Sequence, residues 1–397
     1  VILRPRRAGR AVRGPLNADV RFPSRGLRNG NKETVLASST SIPGGLLPFQ
    51  ACSSGTASRM SYEEDTRRTW RHTEGRRADR SLLLLELVRY ATLAASSHNT
   101  QCWKFRIEER AISVLPDLSR RCPAVDPDDH HLFVSLGCAV ENLLQAALAN
   151  GLKGQTFFDA SAGGALRVAL ESTKAVVSPL FEAIPKRQCT RAEFDGKPLS
   201  VEELRLLEKA ATGDGIRVLL LTDWESREKV LEYVVQANTA QLNDPAFVGE
   251  LKAWIRFSDD EAIRTGDGLF ARSSGNPSVP RWLGHLLFNL LFTTKRENEK
   301  YATQIRSSTG LAIFISEAND KAHWVEAGRC YERFALQAAA LGIRNALVNQ
   351  PVEVSRLRPQ FANGLGIGSD RPDLVVRFGR GPEMPRSLRR PVQAVLA

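Results

Sequence analysis

Gly137-Cys-Ala-Val-Glu-Asn-Leu-Leu-Gln-Ala-Ala-Leu-Ala-Asn-Gly151 is echoed much later in the chain by Gly328-Arg-Cys-Tyr-Glu-Arg-Phe-Ala-Leu-Gln-Ala-Ala-Ala-Leu-Gly342. In both stretches the bracketing glycines stand 14 positions apart. Within that frame Glu141 matches Glu332, Ala147 matches Ala338 and Ala149 matches Ala340. From Ser135 to Asn150 the residues Leu136, Ala139, Val140, Leu143, Leu144, Ala147 and Leu148 recur at helical spacing. They give a face wide enough to be nearly buried, and Gly151 is placed to close the helix. A β-rich segment follows each copy, Ala165–Leu170 and Asp373–Phe378. Such an echo predicts an internal duplication, two units whose long helices bury each other as the subunits of a homodimer would.

Working outward, helices and strands alternate. Ser81–Ala95 is apolar at helical spacing, and Lys104–Ile107 with Ala111–Leu115 reads as a hairpin. The expected class is α+β, with a mixed β-sheet flanked by helices in each half. The halves are assigned to residues 60–183 and 184–397. Asn243–Arg306 fits neither half, and its tryptophans, prolines and glycines suggest a lid-like insertion in which Trp254 is a candidate to pack over a bound ring.

The net charge of +11 invites a nucleic-acid reading, but residues 1–59 carry ten Lys/Arg against Asp19 and Glu33. That segment, rich in Arg, Gly, Pro and Ser, is expected to be a disordered basic leader. It is either a targeting presequence or lies outside a functional chain beginning at Met60. No nucleic-acid partner is therefore expected. No membrane partner is expected either, because Leu82–Leu85 and Trp282–Phe292 are too short or too interrupted to cross a bilayer. Six cysteines without metal-ligand spacing suggest a reducing, cytoplasmic setting and no metal site.

Ala95-Ser-Ser-His-Asn-Thr-Gln-Cys-Trp103 joins a helix to a strand with a dense run of hydroxyl and carboxamide groups. Such groups pair donors with acceptors and suit a flat heterocycle, although they also satisfy turns by themselves. Ser96-Ser97-His98-Asn99-Thr100-Gln101-Cys102-Trp103 resembles the S-S-x-N-x-Q-P-W signature of the nitroreductase family, in the form with His before Asn that is most similar to the Acg-like subgroup. Cys102 replaces the usual proline. A second resemblance runs through Arg187-Gln-Cys-Thr-Arg191 to Phe194 and on to Lys197-Pro-Leu-Ser-Val-Glu-Glu203, where Ser200 and Glu203 also form a capping box. Cys189 stands where the family has Ser or Thr. The third is Met384-Pro-Arg-Ser-Leu-Arg-Arg-Pro-Val392, similar to the subgroup's basic ending.

The resemblance implies a nitroreductase-like fold of two fused pseudo-symmetric halves. It implies FMN as cofactor, with Ser96, Ser97, Asn99 and Gln101 against the ring. Arg187, Cys189, Arg191, Arg386, Arg389 and Arg390 would lie near the phosphate or ribityl chain, and Asn349 and Gln350 near flavin N5. The signature occurs only in the first half, and Ala211–Val218 has lost it in the second. One FMN per chain is expected, in a monomer that imitates a dimer. NADPH or NADH would donate electrons and a small nitroaromatic or quinone would accept them. The flavin carries that chemistry, so no protein group is assigned as catalytic. The alternative is an FMN-sequestering or storage protein whose lid denies nicotinamide access. Gly364-Leu-Gly-Ile-Gly368 lacks the strand and helix of a dinucleotide loop and reads as a turn.

Overall fold

The computed structural model describes residues 61–73 and 79–397, so the leader expected at residues 1–59 lies outside the described residues. The chain enters through helix α1 (Tyr62–Thr69) and helix α2 (Arg80–Thr92), the latter capped by the Asp79 carboxylate accepting from Leu82 N–H at 3.0 Å. The expected hairpin is β1 (Trp103–Glu108) and β2 (Ala111–Pro116). Helix α3 (His130–Ala149) begins five residues before the apolar repeat predicts. The Asp126 carboxylate accepts from the backbone N–H groups of His131 and Leu132 at 3.0 and 2.9 Å, which extends the helix backwards. Strands β3 (Leu152–Asp159) and β4 (Ala165–Ser172) and the short helix α4 (Pro179–Ala183) complete this region.

Helix α5 (Val201–Ala211) opens on the Ser200/Glu203 capping box, and β5 (Ile216–Leu221) follows. Where β1 and β2 are joined by a tight turn, the chain after β5 makes a long excursion. It comprises α6 (Trp224–Leu242), α7 (Pro245–Trp254), β6 (Ile255–Arg256), α8 (Asp259–Thr265), β7 (Leu269–Phe270), α9 (Arg281–Leu291) and α10 (Thr294–Arg306). Strand β8 (Gly310–Ser316) returns to the sheet. Then come α11 (Lys321–Ala340), β9 (Arg344–Leu347), α12 (Gln350–Glu353), α13 (Arg358–Leu365), β10 (Arg371–Gly379) and α14 (Val392–Val395). The glycine cluster is only in part the turn expected of it: Gly364 and Leu365 end α13, and Gly366 and Gly368 follow at positive φ.

The first sheet runs β1-β2-β4-β3 and the second β5-β8-β10-β9. Both have the same strand order around their long helix, α3 or α11. Every neighbouring pair in the two sheets is antiparallel, which corrects the mixed sheets expected from sequence. The tight β1–β2 and β3–β4 connections allow only antiparallel pairing. Parallel contacts are confined to the short β6–β7 pair and to isolated bridges such as Phe105 with Leu396 and Cys189 with Asn345.

The long helices cross at their glycines. A Cβ on Gly137 would lie 2.0 Å from the carbonyl oxygen of Val325, and one on Gly328 would lie 2.0 Å from that of Val134. The contact is reciprocal and admits no side chain. One core, including Leu87, Trp103, Phe133, Phe314, Phe334 and Phe378, spans both sheets and both helices. Helix α3 is long and apolar enough to span a bilayer, but 78% of its apolar window is buried, so its composition serves that core.

Candidate functional site

The loop from Ala95 to Cys102 is held in a conformation that its residues do not favour. His98, Asn99 and Gln101 all have positive φ, at 47°, 54° and 52°. Each costs about 1 kcal/mol or more for a residue with a Cβ, so the surroundings must impose it. Ser135 Oγ accepts from Ser97 N–H at 3.2 Å, and Ser96 Oγ from Gln101 N–H at 3.1 Å. The Asn99 amide donates to the carbonyls of Gly268 and Leu388, at 3.0 and 3.2 Å. Gln101 donates to Gly266 O at 2.8 Å and accepts from Arg390 N–H at 2.9 Å. Two side chains therefore fasten the loop to the excursion and to the C-terminal segment.

This loop borders a cavity of about 490 Å³, within the range of small-molecule and cofactor pockets. Of the residues picked from sequence, Ser96, Ser97, Asn99, Arg187, Cys189, Arg191, Asn349, Gln350, Arg386 and Arg389 line it. Gln101 and Arg390 do not. The polar atoms of the Gln101 side chain are spent on Gly266 and Arg390, and the Arg390 guanidinium reaches Ala394 O at 2.7 Å. Both act as fasteners. Trp254 is also off the cavity wall: it packs beside Phe247, with the Arg120 and Arg256 guanidinium carbons 5.3 and 5.7 Å from its ring centre. The excursion's contribution to the wall includes Phe247, Phe257, Leu287, Phe288 and Tyr301 instead.

Three cavity-lining acceptor or ring atoms are buried without a partner: His98 Nδ1, Asn99 Oδ1 and Gln350 Oε1. Leaving such an atom dry costs about 1–3 kcal/mol, so the cavity is prepared for a ligand with polar edges. Burial, with Arg191 nearby, lowers the His98 pKa to about 4, which keeps the ring neutral.

Cations gather elsewhere in the cavity. The guanidinium carbons of Arg187, Arg386 and Arg389 lie 5.9, 5.1 and 4.7 Å from the ring centre of Trp70. Arg187 and Arg389 share the carbonyl of Leu93, and Arg187 pairs with buried Glu332 at 3.0 Å. Burial opposes the Arg187 charge, but Glu332 outweighs it and raises the pKa. Arg386 and Arg389 donate only to backbone carbonyls, and among the described residues neither has a carboxylate partner. Burial pushes Arg386 down to about 10. It pushes Arg389 to about 9, with Arg187 adding repulsion. Three cations and one anion leave the cluster with two uncompensated positive charges at neutral pH. Arg191 also lines the cavity, and its guanidinium makes no hydrogen bond or ion pair among the described residues.

Sequence reading missed Trp70, which follows Arg67-Arg68-Thr69 and carries no periodic signal, and it missed His131 and Ser135 on α3. His131 precedes the apolar repeat that marked the helix in sequence, so it carried no signal. The Asp126, His130 and His131 side chains are close enough to hold a metal ion. However, Asp126 is engaged by two backbone N–H groups, and His130 and His131 contact Asp373 and Asn349 at 2.9 and 3.3 Å.

No family model matches the chain. Two curated proteins of Mycobacterium tuberculosis, "Putative NAD(P)H nitroreductase Rv3131" and its counterpart MT3217 in another strain, are each 23% identical over 304 residues. The match covers 74% of this chain and 83% of theirs. Among solved structures, the FMN-dependent nitroreductase NfnB of Mycobacterium smegmatis is 14% identical with a TM-score of 0.33, covering 51% of this chain and 87% of that one. A nitroreductase with bound FMN from Bacteroides fragilis is 14% identical with a TM-score of 0.31, covering 52% and 89%. Both of those overlaps are partial. Over 74% of its length the chain is similar to the mycobacterial pair, and it folds its Ser96–Gln101 turn into a strained loop beside a cavity.

Proposed function

We propose that this protein is an FMN-dependent oxidoreductase that moves electrons from NADPH or NADH to a small nitroaromatic or quinone acceptor. One observation supports this most: a cavity with unpartnered acceptor atoms also holds an arginine cluster whose two excess positive charges match a phosphate monoester. Such a phosphate carries about −1.5 to −2 at neutral pH. Arg386 and Arg389 would hold it, with Arg187 kept in place by Glu332. Asn99 Oδ1 or Gln350 Oε1 would accept from the single N–H of the oxidised ring, and Ser96 and Ser97 would add hydroxyls. When bound, FMN supplies hydride acceptance from a nicotinamide and electron transfer onward. The chain's part is to orient the ring, neutralise the phosphate and exclude water behind Phe257, Leu287 and Phe288.

We further infer one site per chain, in a protein whose halves take the places of two subunits. Glu141 matches Glu332 in sequence but is engaged differently. Arg333 and Arg329 approach it at 3.0 and 3.4 Å, and Arg333 also reaches the carbonyls of Ala210 and Thr212. Thr212 belongs to the turn where the signature is lost, and Arg333 ties Glu141 to it, whereas Glu332 accepts from Ala95 N–H at 3.3 Å.

The test is anaerobic titration of the purified protein with NADPH and with NADH while the flavin absorbance is followed. A yellow protein holding about one FMN per chain and bleached rapidly by either donor supports the oxidoreductase. Bleaching by dithionite alone would favour sequestration. A colourless protein that takes up no added FMN would remove both readings.

A further inference from the structure

Helix α9 is apolar on two opposed sides. Inward, Leu287, Phe288 and Leu291 line the cavity, and Gly284 sits so close that a Cβ would lie 2.4 Å from the Phe257 ring. Outward, Trp282, Leu286 and Leu290 recur every fourth residue and are 70%, 48% and 64% exposed. An exposed apolar ridge of this kind marks an interaction surface. Cations bracket it in the chain: the side chains of Arg281 and Lys295 are 62% and 86% exposed, and Arg296 is exposed. The carboxylate near Arg281, Glu261, is buried, while exposed Glu299 is held only loosely by Lys295 at 4.0 Å.

We propose that the α9 ridge docks on an anionic lipid surface. Tryptophan and leucines on one face with arginine and lysine at the margins are the chemistry of a helix lying in the lipid interface. There the apolar residues enter the acyl boundary and the cations meet lipid phosphates. A second copy of the chain fits less well, because an isologous contact would bring Arg281, Lys295 and Arg296 of both copies into one interface. The expectation of no membrane partner rested on the lack of a spanning segment, and lying on a surface needs none. Because α9 is also a cavity wall, docking would set the acceptor pocket against the lipid phase. That consequence rests on the proposed function, whereas docking itself does not.

The test uses the full chain and vesicles of phosphatidylcholine with and without phosphatidylglycerol, some carrying brominated acyl chains. Binding should require phosphatidylglycerol, and bromine should quench tryptophan fluorescence. Trp282→Phe should lose most of that quenching while retaining binding. Leu286→Ser/Leu290→Ser should lower partitioning by roughly tenfold or more. Failure to bind anionic vesicles would overturn the proposal. So would quenching equal in wild type and Trp282→Phe, or partitioning unaffected by the leucine substitutions, since either means adsorption through another basic segment. A dimer in sedimentation velocity that Leu286→Ser/Leu290→Ser converts to monomer would assign the ridge to a second copy. The flavin is not a readout in any arm, so the outcome does not depend on the proposed redox function.

Discussion

Arg389 reaches five backbone carbonyls and no carboxylate, an arrangement that fixes a guanidinium while leaving its charge unanswered. Replacing it with alanine removes a charge-assisted contact worth about 1.5–3 kcal/mol to a bound phosphate. Arg389→Ala should therefore weaken FMN binding by roughly ten- to a hundredfold and leave riboflavin binding nearly unchanged, as fluorescence titration would show. Asp126 provides a pH signature. Burial opposes its charge, but the His131 ring and two backbone N–H groups more than offset this and lower its pKa to about 2. Because the folded value is below the unfolded one, its stabilisation is fully present above about pH 4 and is lost as pH falls towards 2. Asp126→Asn should cost about 1–2 kcal/mol in urea unfolding at pH 7 and progressively less below pH 4. At this scale the sequence pointed to polar and basic residues, most of which the fold brings to one cavity. It did not reveal that the Gln101 side chain is spent on Gly266 and on the Arg390 backbone N–H, because those contacts join positions far apart in the chain.

The deciding element pair is α3 with α11. Alanine is the better helix former by about 1 kcal/mol, so propensity alone favours Gly137→Ala and Gly328→Ala. Sterics oppose it: each new Cβ would stand 2.0 Å from a carbonyl oxygen of the other helix, and backbone cannot swing aside as a side chain can. Each substitution should destabilise the protein by at least about 2 kcal/mol in chemical denaturation, and the two together by less than their sum, since both press on one crossing. These glycines were visible in sequence as the marks of a repeat. Their reason, a close approach between helices, was not. The α3 start was misplaced because its cap is a carboxylate at Asp126, four residues before the helix opens, outside the apolar pattern.

For the whole molecule, the cavity is lined by residues from Trp70 to Arg389, so a ligand that it binds only in the folded chain links binding to folding. Saturating FMN at about a hundred times its dissociation constant should add about 2.7 kcal/mol of stability and raise the midpoint of thermal unfolding. Riboflavin at the same concentration should raise it less, and differential scanning fluorimetry of the full chain would compare them. A response to FMN no larger than to riboflavin would count against the arginine cluster as a phosphate site.

By itself, the sequence determined what local pattern can encode. The helical periodicity, the hairpin, the Ser200/Glu203 capping box and the polar turn at Ser96 to Gln101 depend on neighbours a few residues apart, so they are legible one segment at a time. Tertiary structure alone decided the rest. It made the sheets antiparallel, turned His98, Asn99 and Gln101 into left-handed conformations, and carried Trp70 to the three arginines. It also tied Glu141 to the carbonyl of Thr212 through Arg333. Each of these follows from groups distant in sequence competing for the same space or the same hydrogen-bond partner, and only the folded chain brings those competitors together.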